Sequence, residues 1–504
     1  MNLKFPCYRI CFLFLSILIT GLACRQKMAG EKQVRLYNEP HRPQYHFSPP
    51  AKWMNDPNGM VYYEGEYHLF YQYYPDGNTW GPMHWGHAVS EDMVKWKHLP
   101  IALFPDPLGY IFSGSAVVDW KNTSGLGKDG RPAMVAIYTY HSPESEKSGS
   151  NTFQNQGIAY SLDKGRTWQK YEGNPVLKNP GIRDFRDPKV IWHEASQTWM
   201  MALAVKDKIS FYTSTNLLQW KHSADFNPPW AAYGGVWECP DFFPLKTPTG
   251  AEKWVLLVSI NPGAPNGGSG TQYFIGNFDG KRFRTETNEI KWLDYGADNY
   301  AGVTWSDVPK TDGRRLFIGW MSNWTYAQIV PTEVWRSAMT VPRALELQER
   351  DGQYSLVSKP VRELQVLRSK VVQVKSSRIN LPSDCLDIEL SAVATDFKLT
   401  FSNEKGEKVI LEKKGDEITF DRSRSGIAAF SSDFKQIHRA PAQNLVIKNI
   451  RVFLDRSSME FFFNDGALAV TELVFPNSPY TLLETEGIVE KGTLYPLRSV
   501  WEGK

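Results

Sequence analysis

Four stretches of this chain repeat one device: a short apolar strand, a turn built on Ser, Thr or Asn, and a second strand that carries a large aromatic residue. Gly86–Asp92 runs to Trp96, Gly157–Asp163 to Trp168, Ile209–Ser214 to Trp220 and, more faintly, Phe274–Gly280 to Phe283. The repeats lie about 50–70 residues apart, the length of one four-stranded propeller blade. Repetition at that period constrains topology strongly, because each unit leaves an apolar face that only a neighbour of its own kind covers. Counting the block around Leu316–Trp320 gives about five units. Helical periodicity is almost absent between residues 40 and 340, where short strands alternate with turns. The expected fold is all-β, a five-bladed β-propeller; the competing arrangement is one large irregular sandwich.

Past Pro342 the pattern changes. The segment Leu345–Leu367 has mixed character and suits a connector with a short helix. From about residue 370 the chain alternates with period 2, as in Leu386–Leu390 and Val409–Glu412, and Arg451–Asp455 and Met459–Phe463 flank a hairpin at Arg456-Ser457-Ser458. Such alternation reads as a C-terminal antiparallel β-sandwich. The chain of 504 residues is long enough for both cores. The expected division is a leader over 1–23, a linker over 24–39, the propeller over 40–342, the connector over 343–369 and the sandwich over 370–504.

Lys4 and Arg9 precede the apolar run Ile10–Ile19, which is too short to span a bilayer and reads as a signal-peptide core. Gly21 and Ala23 before Cys24 resemble a bacterial lipoprotein cleavage box. The expectation is an exported protein lipidated at Cys24 and anchored at the cell envelope, with plain secretion as the alternative. Loss of the leader would remove two basic residues and no acid from a chain of formal charge +3. A nearly neutral remainder argues against nucleic acid as partner and suits an uncharged substrate. Of five cysteines, Cys7 and Cys11 fall in the leader, and Cys239 and Cys385 stand far apart, so no disulfide framework is indicated.

Three acidic motifs sit beside strands. In Trp53-Met54-Asn55-Asp56-Pro57-Asn58-Gly59, proline pushes Asp56 toward extended backbone and Asn58-Gly59 marks a turn. Arg183-Asp184-Phe185-Arg186-Asp187-Pro188-Lys189-Val190 repeats the acid–proline device and leads into the apolar strand Val190–Trp192. Glu238 lies in Trp237-Glu238-Cys239-Pro240-Asp241. Taken singly, each reads more readily as a turn or a structural ion pair. The three fall in different expected blades, however, and the innermost strands of a propeller converge on one axial funnel. Carboxylates gathered in an aromatic funnel suit glycoside cleavage, which needs one protonated and one ionised acid. Aromatic residues make up 13% of the chain, and their rings serve both as sheet packing and as platforms for sugars.

The three motifs, in this order and spacing, resemble glycoside hydrolase family 32, which includes invertases, inulinases and levanases. Phe112-Ser113-Gly114-Ser115, Trp80 with Trp85-Gly86-His87, Trp320–Trp324 and Leu454–Glu460 extend the likeness over about residues 40–500. The resemblance implies a propeller followed by a sandwich and retaining hydrolysis of β-fructofuranosidic bonds in levan or inulin, with sucrose as a further substrate. It implies Asp56 as nucleophile, Glu238 as general acid/base and Asp187, with Arg186, as transition-state stabiliser. Asn55, Gln72, Trp80, Phe112 and Ser113 match positions lining a fructose pocket, with Trp53 and Trp324 as aromatic walls. Asp298 occupies the place of a further family motif whose following residues differ in this chain. An endo-acting levanase, a fructosyltransferase and a non-catalytic fructan-binding protein are the alternative functions.

No cofactor is implied. His84 and His87 are three apart in an expected strand and so face opposite sides, and no Cys/His set has zinc spacing, so no metal is expected. Gly263–Gly270 lacks the Lys-Ser/Thr of a phosphate loop and reads as a flexible surface loop. The polar loop Ser142–Gln156 either borders the site or is mobile.

Overall fold

The computed structural model describes residues 37–501 except 375, 392–393, 444 and 488–491. The expected leader and Cys24 lie outside the described residues. Among the described residues, no helix is long and apolar enough to cross a membrane.

Among the described residues, five largely antiparallel sheets follow one another before residue 361. They begin at the strands Lys52–Tyr63, Tyr110–Val118, Phe185–His193, Val236–Lys246 and Tyr300–Thr304. Those five leading strands touch in cyclic order, the fifth returning to the first, and so form the axis of a five-bladed propeller. The ring is closed by a short parallel pairing of Trp335–Arg336 with Lys52–Trp53. Wide apolar clusters fill the spaces between sheets, as where Phe243, Leu257, Phe317 and Leu347 meet between the fourth and fifth blades.

The repeated device read from the sequence is the turn between the third and fourth strands of a blade. In the first three blades a serine hydroxyl donates to the acid or amide two residues on: Ser90 to Asp92 at 2.9 Å, Ser161 to Asp163 at 2.8 Å and Ser214 to Asn216 at 3.2 Å. That side chain then caps backbone N–H groups of the turn. Next comes a residue in the left-handed region, Met93, Lys164, Leu217 or, in the fourth blade, Gly280. The indole N–H of Trp96, Trp168 or Trp220 donates to the carbonyl three residues back, at 2.9–3.0 Å. The aromatic residue therefore locks the turn as well as packing between sheets.

One expected boundary needs correction. The stretch 343–369, read as a connector, contains Arg343–Arg350 and Gln353–Pro360, which are the outer two strands of the fifth blade. Their apolar residues Leu345, Leu347 and Leu356 complete the core against the fourth blade; only Arg362–Leu367 is a short 3₁₀ helix.

Beyond residue 371 two six-stranded sheets face each other as a sandwich around Leu386, Phe401, Phe420, Val452 and Phe461. The sandwich and the propeller meet through buried charge. Arg343 donates to Asp294 at 2.9 Å and to Glu460 at 2.6 Å. His46 lies between Asp455 and Glu460, 2.7 Å from each. Arg422, from the sandwich, reaches Asp298 of the propeller at 2.6 Å, and Glu472 lies 2.9 Å away. Asp298 thus serves as an anchor between domains, held also by the Tyr326 hydroxyl at 2.6 Å. Buried charges cost stability unless paired, so this constellation fixes the relative placement of the two folds.

Candidate active site

Each of the five axial strands carries a β-bulge at the same level. Residues 55–56, 112–113, 187–188, 239–240 and 301–302 each oppose a single residue on the next strand: Gln72, Thr139, Leu203, Val258 and Gly319. A bulge bends its strand and re-aims its side chains. Three of the bulges place a non-glycine residue in the left-handed region: Asp187 at φ 62°, Cys239 at φ 44° and Ala301 at φ 52°. Backbone held there costs about 1–3 kcal/mol per residue and is typical of functional sites. Asn55, Asp56, Phe112, Ser113, Arg186, Asp187 and Glu238, named from the sequence, fall on four of these bulges or beside them.

Asp56 accepts from Ser113 Oγ at 2.7 Å and from Asn55 Nδ2 at 3.1 Å. Asn55 is oriented by the indole N–H of Trp53 at 2.8 Å. Burial pushes the Asp56 carboxyl above the usual range and the charge of Glu238 adds to this, while Ser113, Asn55 and Cys239 oppose it. A carboxylate that keeps three donors on it stays oriented in a site that would otherwise protonate it.

Glu238 is held at both oxygens. Arg186 Nη2 donates to Oε1 at 2.9 Å and the Tyr300 hydroxyl donates to Oε2. The Arg186 guanidinium also donates to Asp184 at 2.7 Å. Burial works against the charge of Arg186, but Glu238, Asp187 and Asp184 together hold it firmly protonated.

Asp187 is buried and accepts from the backbone N–H of Cys239 at 3.0 Å. Its own N–H is bound by Thr139 Oγ1 at 3.0 Å. Burial raises its carboxyl to about 7, against the pull of Arg186 and with the push of Glu238 and Asp56. The Cys239 thiol bridges the two aspartates, 3.4 Å from Asp56 Oδ2 and 3.7 Å from Asp187 Oδ2.

The aromatic wall has two layers. Trp53 is fully buried and stacks on Trp324 at 5.8 Å, so Trp53 supports the wall from behind while Trp324 is partly open. Across the site, Trp80 is 38% exposed and meets Phe112 edge-to-face. Gln72 is buried opposite the first bulge and donates to the Ile111 carbonyl at 3.0 Å, tying the first blade to the second. The loop 263–270, expected to be a flexible surface loop, is anchored: buried Ser269 donates to Asn261 and accepts from the Trp324 N–H.

Tyr300, Asp184 and the Cys239 thiol are site residues that the sequence reading passed over. Cys239 and Asp184 stand inside motifs already singled out, and Tyr300 lies two residues after Asp298. Among the described residues, no group of three or more His, Cys, Asp or Glu side chains is arranged to hold a metal ion.

Comparison with known proteins places this geometry. Residues 46–360 match the Glycosyl hydrolases family 32 N-terminal domain, and residues 354–498 match the Glycosyl hydrolases family 32 C terminal. The chain is 47% identical over 513 residues to a levanase of Bacillus subtilis (strain 168), covering 96% of this chain and 74% of that protein. It is 37% identical over 527 residues to an extracellular exo-inulinase of Aspergillus niger, covering 94% and 98% of the two. The crystal structure of an exo-inulinase from Aspergillus awamori superposes with a TM-score of 0.85 at 35% identity, over 92% of this chain and 100% of that one. Propeller and sandwich are both accounted for by these matches, and the chain therefore belongs to glycoside hydrolase family 32.

Proposed function

We propose that the protein hydrolyses β-fructofuranosidic bonds of fructans with retention, releasing fructose, with Asp56 as nucleophile and Glu238 as general acid/base. The observation that carries this reading is the joining of three carboxylates from three separate blades into one hydrogen-bonded cluster around Cys239 and Arg186. The levanase and exo-inulinase names of the relatives support fructans as the substrate class.

In the first step Glu238 gives its proton to the departing oxygen while Asp56 attacks the anomeric carbon, forming a fructosyl-enzyme. Glu238, now ionised, takes a proton from water, which displaces Asp56. Arg186 and Tyr300 keep the Glu238 carboxyl in one orientation through both steps. Asp187 and Arg186 hold fructosyl hydroxyls and stabilise charge as it develops at the ring. Asn55, Gln72, Ser113, Phe112, Trp80 and Trp324 shape the pocket, with Trp53 behind them.

Product chromatography on levan, inulin and sucrose tests the activity: fructose alone from the earliest time supports end-wise release, and a ladder of oligomers supports internal cutting. Asp56→Asn and Glu238→Gln each lower kcat by at least about a thousandfold while leaving the fold intact. Normal turnover by either variant overturns the roles of nucleophile and acid/base.

The protein acts outside the cytoplasm in this reading, in keeping with the extracellular name of one relative. Residues 1–23 serve as its leader, and Cys24 is the lipidated residue of an envelope-anchored form. Metabolic labelling with a radioactive fatty acid, lost on Cys24→Ser, tests the anchor.

A further inference from the structure

The polar loop after His141 does border the site. Ser142 caps the short helix Pro143–Lys147, accepting from the Ser145 N–H at 3.2 Å. The helix presents Glu146, whose carboxylate reaches in two directions: Arg183 Nη2 donates to Oε1 at 3.0 Å and His141 Nε2 lies 3.2 Å from Oε2.

Each end of this short chain of contacts leads into the catalytic cluster. On one side the His141 ring stacks flat on Phe112, with centroids 4.3 Å apart and planes 6° apart. Phe112 shares its bulge with Ser113, which holds Asp56. On the other side Arg183 is followed in sequence by Asp184, whose carboxylate holds Arg186 and, through it, Glu238. One flank of the mouth is thus a continuous wall from the nucleophile to the acid/base.

The geometry points to Glu146 and Arg183 as the residues that read the sugar on the leaving side of the scissile bond, an inference that rests on the fructoside reading above. The glycosidic oxygen departs past Glu238, so the next sugar of the chain lies outward from it, along this wall. Glu146 and Arg183 are 36% and 52% exposed at the side chain, open to a ligand yet fixed to each other and to the loop. The Arg183 guanidinium is braced over the Phe153 ring at 5.2 Å. Side by side, the carboxylate accepts from one hydroxyl and the guanidinium donates to the neighbouring one, the complement of the adjacent hydroxyls of a furanose. The half-buried Phe112 ring, backed by the buried His141 ring, supplies the apolar surface beside that polar pair.

Kinetics on two substrates tests the assignment: a fructose disaccharide with a β-fructosidic link, and methyl β-D-fructofuranoside, whose leaving group is too small to reach the wall. For Glu146→Ala and for Arg183→Ala, the ratio of kcat/KM on the disaccharide to that on the methyl fructoside falls about 5- to 10-fold, chiefly through KM. Glu146→Gln, which keeps an acceptor, recovers part of the ratio. A ratio unchanged in both alanine variants, whether each substrate is affected equally or not at all, overturns the inference and leaves the fructoside reading standing. A wild-type enzyme that cleaves neither substrate overturns both. An exposed ion pair contributes at most about 1 kcal/mol to folding, so both variants fold and the comparison is readable.

Discussion

The Tyr300 hydroxyl donates to Oε2 of Glu238, from the fifth blade to the fourth. With Arg186 on the other oxygen, the carboxyl has one orientation relative to Asp56. Removing the hydroxyl frees one oxygen and leaves the ring to fill its place. Tyr300→Phe is expected to lower kcat/KM on inulin or levan about 10- to 100-fold, the worth of a hydrogen bond to a charged group, with the melting temperature nearly unchanged. Steady-state kinetics beside a thermal melt check this, and full activity would show that Arg186 alone sets the carboxyl.

Asp187 carries a stability cost that depends on pH. Burial, with help from Glu238 and Asp56, raises its carboxyl to about 7, against about 3.9 for an unfolded chain. A group with a raised folded value contributes most below its unfolded value, and that contribution is lost as pH rises through about 7. At pH 8 the buried aspartate is ionised and opposes folding. Asp187→Asn is therefore expected to be nearly inactive yet to melt several degrees higher than the wild type at pH 8, with the gap closing toward pH 4. Parallel melting curves across that range would contradict this.

His46 behaves in the same sense for the domain seam. Burial alone would lower its value, but hydrogen bonds to Asp455 and Glu460 raise it to about 9. Its contribution is complete below the unfolded value of about 6.5 and is lost as pH rises through about 9. Urea unfolding of the wild type is expected to show falling stability between pH 7 and pH 10. His46→Gln is expected to flatten that fall while lowering stability at pH 6. An unchanged slope in the variant would place the alkaline loss elsewhere.

Arg422 is the sandwich residue on which two acids depend. It pairs with Asp298 and Glu472, and all three side chains are inaccessible to solvent. Arg422→Met leaves both carboxylates without their cation, a change expected to cost about 3–5 kcal/mol. Calorimetry checks the size of the loss. A variant as stable as the wild type would mean that the acids take up protons or water at little cost.

Much of this was legible in the sequence because its causes are local. Ser90, Asp92 and Trp96 lie within seven residues, so the turn they lock repeats as a visible string in successive blades. The acids announced themselves through prolines two or fewer residues away, since Pro57, Pro188 and Pro240 all fall at or beside axial bulges. What escaped was set by distant partners. Leu347 and Leu356 looked like connector residues because the surface they cover belongs to the fourth blade. Tyr300 carries no local mark of its role, for its partner Glu238 is 62 positions away. The seam joining His46 to Asp455 and Arg422 to Asp298 spans more than a hundred positions and leaves no periodic trace.

The five bulges also set how the funnel tolerates change. Deleting either of the two residues at a bulge would restore an even ladder, in which the later residues keep their cross-strand partners and faces but the strand loses the bend that aims its side chains into the funnel. A substitution at Asp187 or Cys239 alters one group; a deletion beside it would remove the bend and re-aim every side chain held there. Side-chain chemistry at the axis is thus free to vary one position at a time, whereas the length of each axial strand is not.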